Sequence, residues 1–222
     1  PLEAVSMGVK LRDQDMALRC NLVCLSPEGD YPDKIMQDYS AGEISTEESG
    51  KLMAELQAQL GDDEFSFHAG ISYRHLVVWK NDADKDVKLT PPHDISDRVV
   101  GEYLPKGRDA SKLLQLMMQS QEILKNHPVN RERIEKGQIP ATSIWFWGEG
   151  RRPSLPTFEE KYGLKGSVVC AVDLVRGLGI CAGLTPVKVA GATGSVETNF
   201  AGKARAALDE LKRGQDFVFL HI

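Results

Sequence analysis

Residues 142–222 alternate strand-forming and helix-forming segments, and this alternation restricts the fold more than any other feature of the chain. Residues 142–147 read as a strand, 157–162 as a short helix closed by Gly163, and 168–172 as a second strand. Residues 174–184 form a glycine-interrupted helical pattern, 186–190 a strand, 199–213 a helix and 217–221 a last strand. Such alternation buries its strands in a parallel or mixed sheet flanked by helices, so the class is α/β. In these sheets ligands gather just outside the strand C-termini, on the loops that follow. A sequence that closes on His221 and Ile222 is therefore expected to be an internal piece of a longer protein, cut beside its own site. The opening Pro1-Leu2-Glu3-Ala4, without methionine, supports the same expectation.

The first 140 residues differ in character. Residues 1–12 read as the tail of a helix and a connector. Residues 18–25 form a strand, Pro27-Glu28-Gly29-Asp30 a turn, and 35–39 a second short strand. Ser45 followed by Glu48 is a capping box, opening a helix that carries Leu52, Met53, Leu56 and Leu60 on one face and ends at Gly61. Residues 65–71 and 73–79 read as β structure, bent around Gly70. Residues 81–108 form a long polar loop broken by Pro91-Pro92. Asp109 caps a helix bearing Leu113, Leu114, Met117 and Leu124, which stops before Pro128. Asn130, Arg131 and Arg133 read as a charged helical face. The expected division is a connector at 1–14, one domain at 15–139 and another at 140–222.

Composition removes several function classes. A net charge of -5 without a basic block argues against nucleic acid or an anionic membrane as partner. No apolar run reaches the roughly 20 residues needed to cross a bilayer, and no signal-peptide pattern opens the chain. The four cysteines (Cys20, Cys24, Cys170 and Cys181) lie in apolar settings and read as buried thiols of a reducing cytoplasm rather than zinc ligands. There is no GxSxG elbow, HExxH or DxDxD-type cluster, and His68, His75, His93, His127 and His221 are scattered.

Arginines that converge locally still accommodate a small anion. Arg151 and Arg152 follow a strand end and the Gly148-x-Gly150 turn, where they either grip a ligand or are simply solvated. Lys188, amid apolar neighbours, either reaches an anion or guards a sheet edge. Arg19 and Asn21 share one strand face opposite Cys20, and Arg74 and His75 sit within an apolar β segment. His93-Asp94 follows the double proline, and Ser40 lies in a tight turn that either faces a ligand or merely closes itself. Salt-bridged or snorkelling side chains are the plain alternative for these charged groups. The turn Gly191-Ala192-Thr193-Gly194 lacks phosphate-loop spacing.

Six segments in this order resemble one family: Arg19-Cys20-Asn21, Asp38-Tyr39-Ser40-Ala41-Gly42, Ser72-Tyr73-Arg74-His75, Pro92-His93-Asp94, Ile144-Trp145-Phe146-Trp147-Gly148-Glu149-Gly150, and Gly191-Ala192-Thr193-Gly194 with Gly202-Lys203. The set is similar to the cofactor-independent phosphoglycerate mutases of the archaeal type, within the alkaline phosphatase superfamily. The resemblance implies an inserted α/β domain that closes over substrate, plus part of an alkaline-phosphatase-like α/β domain with a mixed sheet. It implies a parent that interconverts 3-phosphoglycerate and 2-phosphoglycerate through a phosphoserine, using two divalent ions (manganese or zinc). The nucleophile and metal ligands of the family fall outside this sequence, so no catalytic residue, no metal ligand and no resident cofactor is expected here. Substrate-binding residues carried over are Arg19, Asn21, Arg74, His93 and Asp94 from the insert, with Arg151 and Lys188 from the phosphatase-like part. The expected partner is a small phosphorylated acid, with no nucleic acid and no membrane. A phosphorylated-acid binding module without turnover, or a phosphonopyruvate decarboxylase-like activity, are the alternatives.

Overall fold

In the computed structural model the described residues are 1–81 and 85–222; Asp82, Ala83 and Asp84, inside the polar segment expected at 81–108, lie outside them. In chain order the elements are α1 (Leu2–Ser6), β1 (Met16–Leu25), β2 (Met36–Asp38), α2 (Thr46–Leu60), β3 (Phe65–Ile71), β4 (Arg74–Trp79), α3 (Ala110–Lys125) and α4 (Pro128–Glu135). They continue with β5 (Ser143–Arg151), α5 (Phe158–Tyr162), β6 (Gly166–Val169), α6 (Asp173–Cys181), β7 (Thr185–Val187), α7 (Phe200–Lys212) and β8 (Phe217–Leu220). The chain divides into two compact units, Asp13–Arg151 and the pair of segments Pro1–Arg12 and Arg152–Ile222.

The larger unit is built on β1. β4 and β5 both pair with it antiparallel, β3 pairs with β4, and β2 pairs with its last two residues. Because side chains alternate along a strand, β1 places Met16, Leu18, Cys20 and Leu22 on one face and Ala17, Arg19 and Asn21 on the other. On the first face Val77, Trp79, Phe65, Phe67, Ile144 and Phe146 join them in a buried core. α2 packs on β3 and α3 on β5 to cover it. Burying each large apolar side chain of this kind contributes about 1.5–3 kcal/mol.

Local signals explain the helices. Ser45 and Glu48 form the expected capping box and Gly61 stands at the C-cap of α2. Asp109 precedes α3 but makes no side-chain cap bond. Pro128 opens α4, where the missing N–H costs nothing because it would lack a helical partner. Asn130 and Arg133 are buried and bonded rather than members of a solvated charged face.

The strand at 143–151 is the main departure from expectation. Its backbone runs along β1 from Ser143 to Arg151, so the break between units falls at Arg151/Arg152 rather than at 139/140. A strand-forming segment is legible locally, whereas the sheet it joins depends on long-range pairing. The smaller unit has a three-stranded parallel sheet in the order β7-β6-β8. α1 packs on α6, where Gly177 lets the Leu2 carbonyl approach to within a distance no Cβ allows.

His75 occupies the apolar face opposite Cys20, and its Nδ1 accepts a hydrogen bond from the Gly70 N–H at 3.0 Å. The proton therefore sits on Nε2, which has no partner among the described residues. Burial pushes the imidazole pKa down to about 3. The unfolded chain takes up this proton near pH 6.5 while the folded chain does not. Stability above pH 6.5 is therefore untouched, and it falls as pH drops from 6.5 toward 3 by up to about 1.4 kcal/mol per pH unit. Urea unfolding followed by tryptophan fluorescence reads this unit, since Trp79, Trp145 and Trp147 all lie in it. His75→Leu is expected to flatten the loss between pH 6 and 4, and an unchanged slope contradicts the assignment.

Candidate functional site

The second face of the large sheet carries the charged groups. Asn21 lies opposite Arg74 on β4, and Arg19 lies opposite Trp147 on β5, so these four side chains share that face. Arg19 and Arg74 are thus diagonal neighbours on adjacent strands, a spacing long side chains readily span. The Arg19 guanidinium carbon stands 4.5 Å from the centre of the Trp147 ring, and that of Arg74 stands 4.2 Å from the Tyr73 ring. Arg74 also donates a hydrogen bond to the Tyr73 hydroxyl. Burial raises the Tyr73 pKa against the opposing pull of Arg74, so the phenol stays protonated and neutral.

The two arginine–aromatic pairs are joined by rings. Tyr39 meets Tyr73 edge-on at 5.9 Å and His93 at 6.1 Å, and His93 meets Trp147 edge-on at 5.2 Å. Asn21 ties this row to the sheet: its Nδ2 donates to the Tyr39 carbonyl (3.0 Å) and its Oδ1 accepts from Trp147 Nε1 (2.9 Å). His93 belongs to a 3-10 turn, Pro92–Ile95, anchored by the buried Pro92 and Ile95. Its Nε2 lies 3.7 Å from Asp94 Oδ1. Five of the seven residues expected from sequence (Arg19, Asn21, Arg74, His93 and Asp94) therefore gather around one aromatic row.

Two local devices set this geometry. At β5 the ladder shifts so that Gly148 and Glu149 together oppose Leu18, a β-bulge with Gly148 at φ +60°. A Cβ on Gly148 would stand 3.1 Å from Arg19 Cδ, so the glycine both adopts the left-handed backbone and lets the arginine stem pass. The second device is the turn after β2. Asp38 Oδ1 accepts hydrogen bonds from the Ser40 N–H, the Ser40 hydroxyl and the Gly42 N–H, while the Ser40 hydroxyl accepts from the Glu43 N–H. Ala41, Gly42 and Glu43 all have positive φ. Buried Arg133 holds this turn by donating to the Ala41 carbonyl, the Ile139 carbonyl and the Glu48 carboxylate. Of the two roles open to Ser40, the structure assigns closure of the turn.

Arg151 stands on another row of the large sheet, and Lys188 is a residue of the other unit. Arg151 ends β5 opposite Met16, and the bulge places it on the row of the helix-covered face, not that of Arg19. It is also part of the larger unit rather than of the phosphatase-like part where the resemblance puts it. Lys188 belongs to the smaller unit. β7 ends at Val187, so Lys188 is an exposed residue of the following loop and not an interior strand residue. That loop is held by Asn199, which donates to the Ala190 carbonyl and accepts from the Gly202 N–H, and by buried Lys203, which donates to the Thr193 carbonyl. Cys20 and Cys24 are buried free thiols, and burial raises the Cys24 pKa to about 11. Cys170 and Cys181 are only half-buried. No three His, Cys, Asp or Glu side chains converge as a group that could hold a metal among the described residues.

Sequence reasoning left Tyr39, Tyr73 and Trp147 out of the site. The alternation that put Arg19 and Asn21 on one face also puts Trp145 and Trp147 on one face of β5. What it lacked was the register between the two strands.

The family model for 2,3-bisphosphoglycerate-independent phosphoglycerate mutase matches residues 1–130. A probable mutase of this kind from Geobacter sulfurreducens is 51% identical over 222 residues, covering 100% of this chain and 55% of that protein. The mutase of Methanosarcina barkeri is 46% identical, again over 100% of this chain and 54% of the relative. The chain thus spans about half the length of the curated relatives it matches. Among solved structures, the cofactor-independent phosphoglycerate mutase of Thermoplasma acidophilum aligns with a TM-score of 0.61 and 26% identity, covering 100% of this chain and 59% of that one. The PH0037 protein of Pyrococcus horikoshii aligns at 0.72 and 25% identity, covering 99% and 50%.

Gly148→Ala is expected to destabilise the larger unit by about 1–2 kcal/mol, the cost of a left-handed backbone at a residue with a Cβ. Denaturant midpoints measure this. Equal midpoints for the two proteins contradict the bulge assignment.

Proposed function

The chain belongs to the 2,3-bisphosphoglycerate-independent phosphoglycerate mutase family, and on that premise we propose that it supplies the substrate-gripping half of an enzyme interconverting 3-phosphoglycerate and 2-phosphoglycerate. The observation that carries this reading is the placement of Arg19 and Arg74 as diagonal neighbours on one sheet face, each over an aromatic ring. Guanidinium groups suit phosphate and carboxylate oxygens because their planar fork donates two parallel hydrogen bonds. Two such forks on neighbouring strands match a ligand with two anionic ends. His93, edge-on to Trp147 and beside Asp94, stands on the same aromatic row to meet the glycerate oxygens.

In this reading the residues of the large unit bind and orient, while the serine nucleophile and the ligands of the two divalent ions are supplied from outside these 222 residues. The ions would lower the charge on the phosphoryl group and activate the serine. Holding the glycerate in place between the two phosphoryl transfers converts the second into an effectively intramolecular step.

Expressed with the sequence that flanks it in its own gene, the protein is expected to interconvert the two phosphoglycerates. Arg19→Ala and Arg74→Ala are each expected to lower kcat/KM on the order of 10- to 100-fold, chiefly through KM, as loss of a charge-assisted hydrogen bond does. Activity unaffected by both substitutions overturns the proposed grip. Tight binding of 3-phosphoglycerate without any turnover favours a binding module instead.

A further inference from the structure

We infer that Asn21 and Trp147 are positioning residues that hold the Arg19 guanidinium in its anion-binding pose, a role that rests on the functional reading above. The sequence marks Asn21 as a substrate contact, yet the side chain is only 2% exposed and both ends of its amide are engaged within the protein. Oδ1 accepts from Trp147 Nε1 and Nδ2 donates to the Tyr39 carbonyl, so the amide bridges β5, β1 and the turn after β2. An indole has a single N–H donor, and fixing it removes the rotation of the ring about its χ angles. The plane of Trp147 is thereby set, and that plane is the surface over which Arg19 lies at 4.5 Å.

Three constraints converge on the same guanidinium. The ring beneath it is oriented by Asn21, the stem beside it passes the Cβ-free Gly148, and His93 meets the indole edge-on. An arginine loses rotamer entropy on binding an anion unless its pose is already fixed. Asn21 acts through Trp147, and Trp147 through its π face, without either touching the ligand. Arg74 rests on a different ring, that of Tyr73, and meets this relay only through Asn21 opposite it and through Tyr39. Trp147→Phe leaves both Asn21 and Tyr39 in the sequence, so in that variant Arg74 supplies an internal control.

Asn21→Ala removes the acceptor and keeps the indole, whereas Trp147→Phe keeps an aromatic ring and removes the N–H. Arginine Nε–Hε signals of the 222-residue chain, recorded by ¹⁵N NMR well below the unfolding transition, report the arrangement directly. The Arg19 signal is expected at low frequency from the indole ring current and to shift in both variants, while the Arg74 signal is expected to stay in place in Trp147→Phe. In the flanked protein, each variant is expected to raise KM for 3-phosphoglycerate about three- to tenfold, the scale of a lost cation–π contact, with kcat within about twofold. The double variant is expected to be no worse than the poorer single one, because both remove the same bond. An unmoved Arg19 signal in both folded variants, or strictly additive effects, overturns the inference. Loss of turnover in the unsubstituted flanked protein overturns the functional reading and this role with it. Normal KM in both variants overturns this role alone.

Discussion

The contact between Arg19 and Trp147 is the point on which the larger unit is organised. A guanidinium on a sheet face is costly to dehydrate unless a partner compensates it, and the π face of an indole does so without neutralising the charge. For the two to meet, β1 and β5 must pair in one register only, with Arg19 opposite Trp147. That register carries the bulge at Gly148, where a Cβ would stand 3.1 Å from Arg19 Cδ. A shift of β5 by one residue would turn Ile144 and Phe146 to the polar face and break the core on the other side. The apolar core and the polar face thus enforce the same pairing.

The opposite end of the aromatic row depends on a different clamp. Tyr39 stands at the start of a turn with consecutive left-handed residues, an arrangement that costs energy at Ala41 and Glu43. The carboxylate of Asp38 closes the turn from within, and Arg133 closes it from outside through the Ala41 carbonyl. The same arginine reaches the Glu48 carboxylate, which also serves the capping box of α2. Burial raises the pKa of Glu48, but the hydrogen bonds from Ser45 and Arg133 outweigh it, and the carboxyl stays below its usual range. Helix start and turn are consequently one hydrogen-bonded assembly, and Asn21 ties the turn to the aromatic row.

The smaller unit follows another logic. Its parallel strands are short, and its loop after β7 is organised by Asn199 and Lys203 at the start of α7. Here the bends come from capping chemistry rather than from sheet register. Asn199 is a helix cap and a loop tie at once, which is why a polar residue stands where the strand-to-helix connection tightens.

Much of the local structure was legible in the residues alone. The capping box at Ser45, the stop at Gly163, the bulge around Gly70 and the faces of α2 and α3 each follow from short-range rules. The sequence also marked Arg19, Asn21, Arg74, His93 and Asp94, since charged residues within apolar strands must go somewhere. It left open their distance from one another and the roles of Tyr39, Tyr73 and Trp147. It also set the edge of the larger unit too early, before the last strand of the sheet. Those facts belong to pairings between distant residues, such as Tyr39 with Tyr73 and Asn21 with Trp147. Local propensity fixes which segments become strands, but only the packed core decides which strands lie side by side, and hence which side chains share a face.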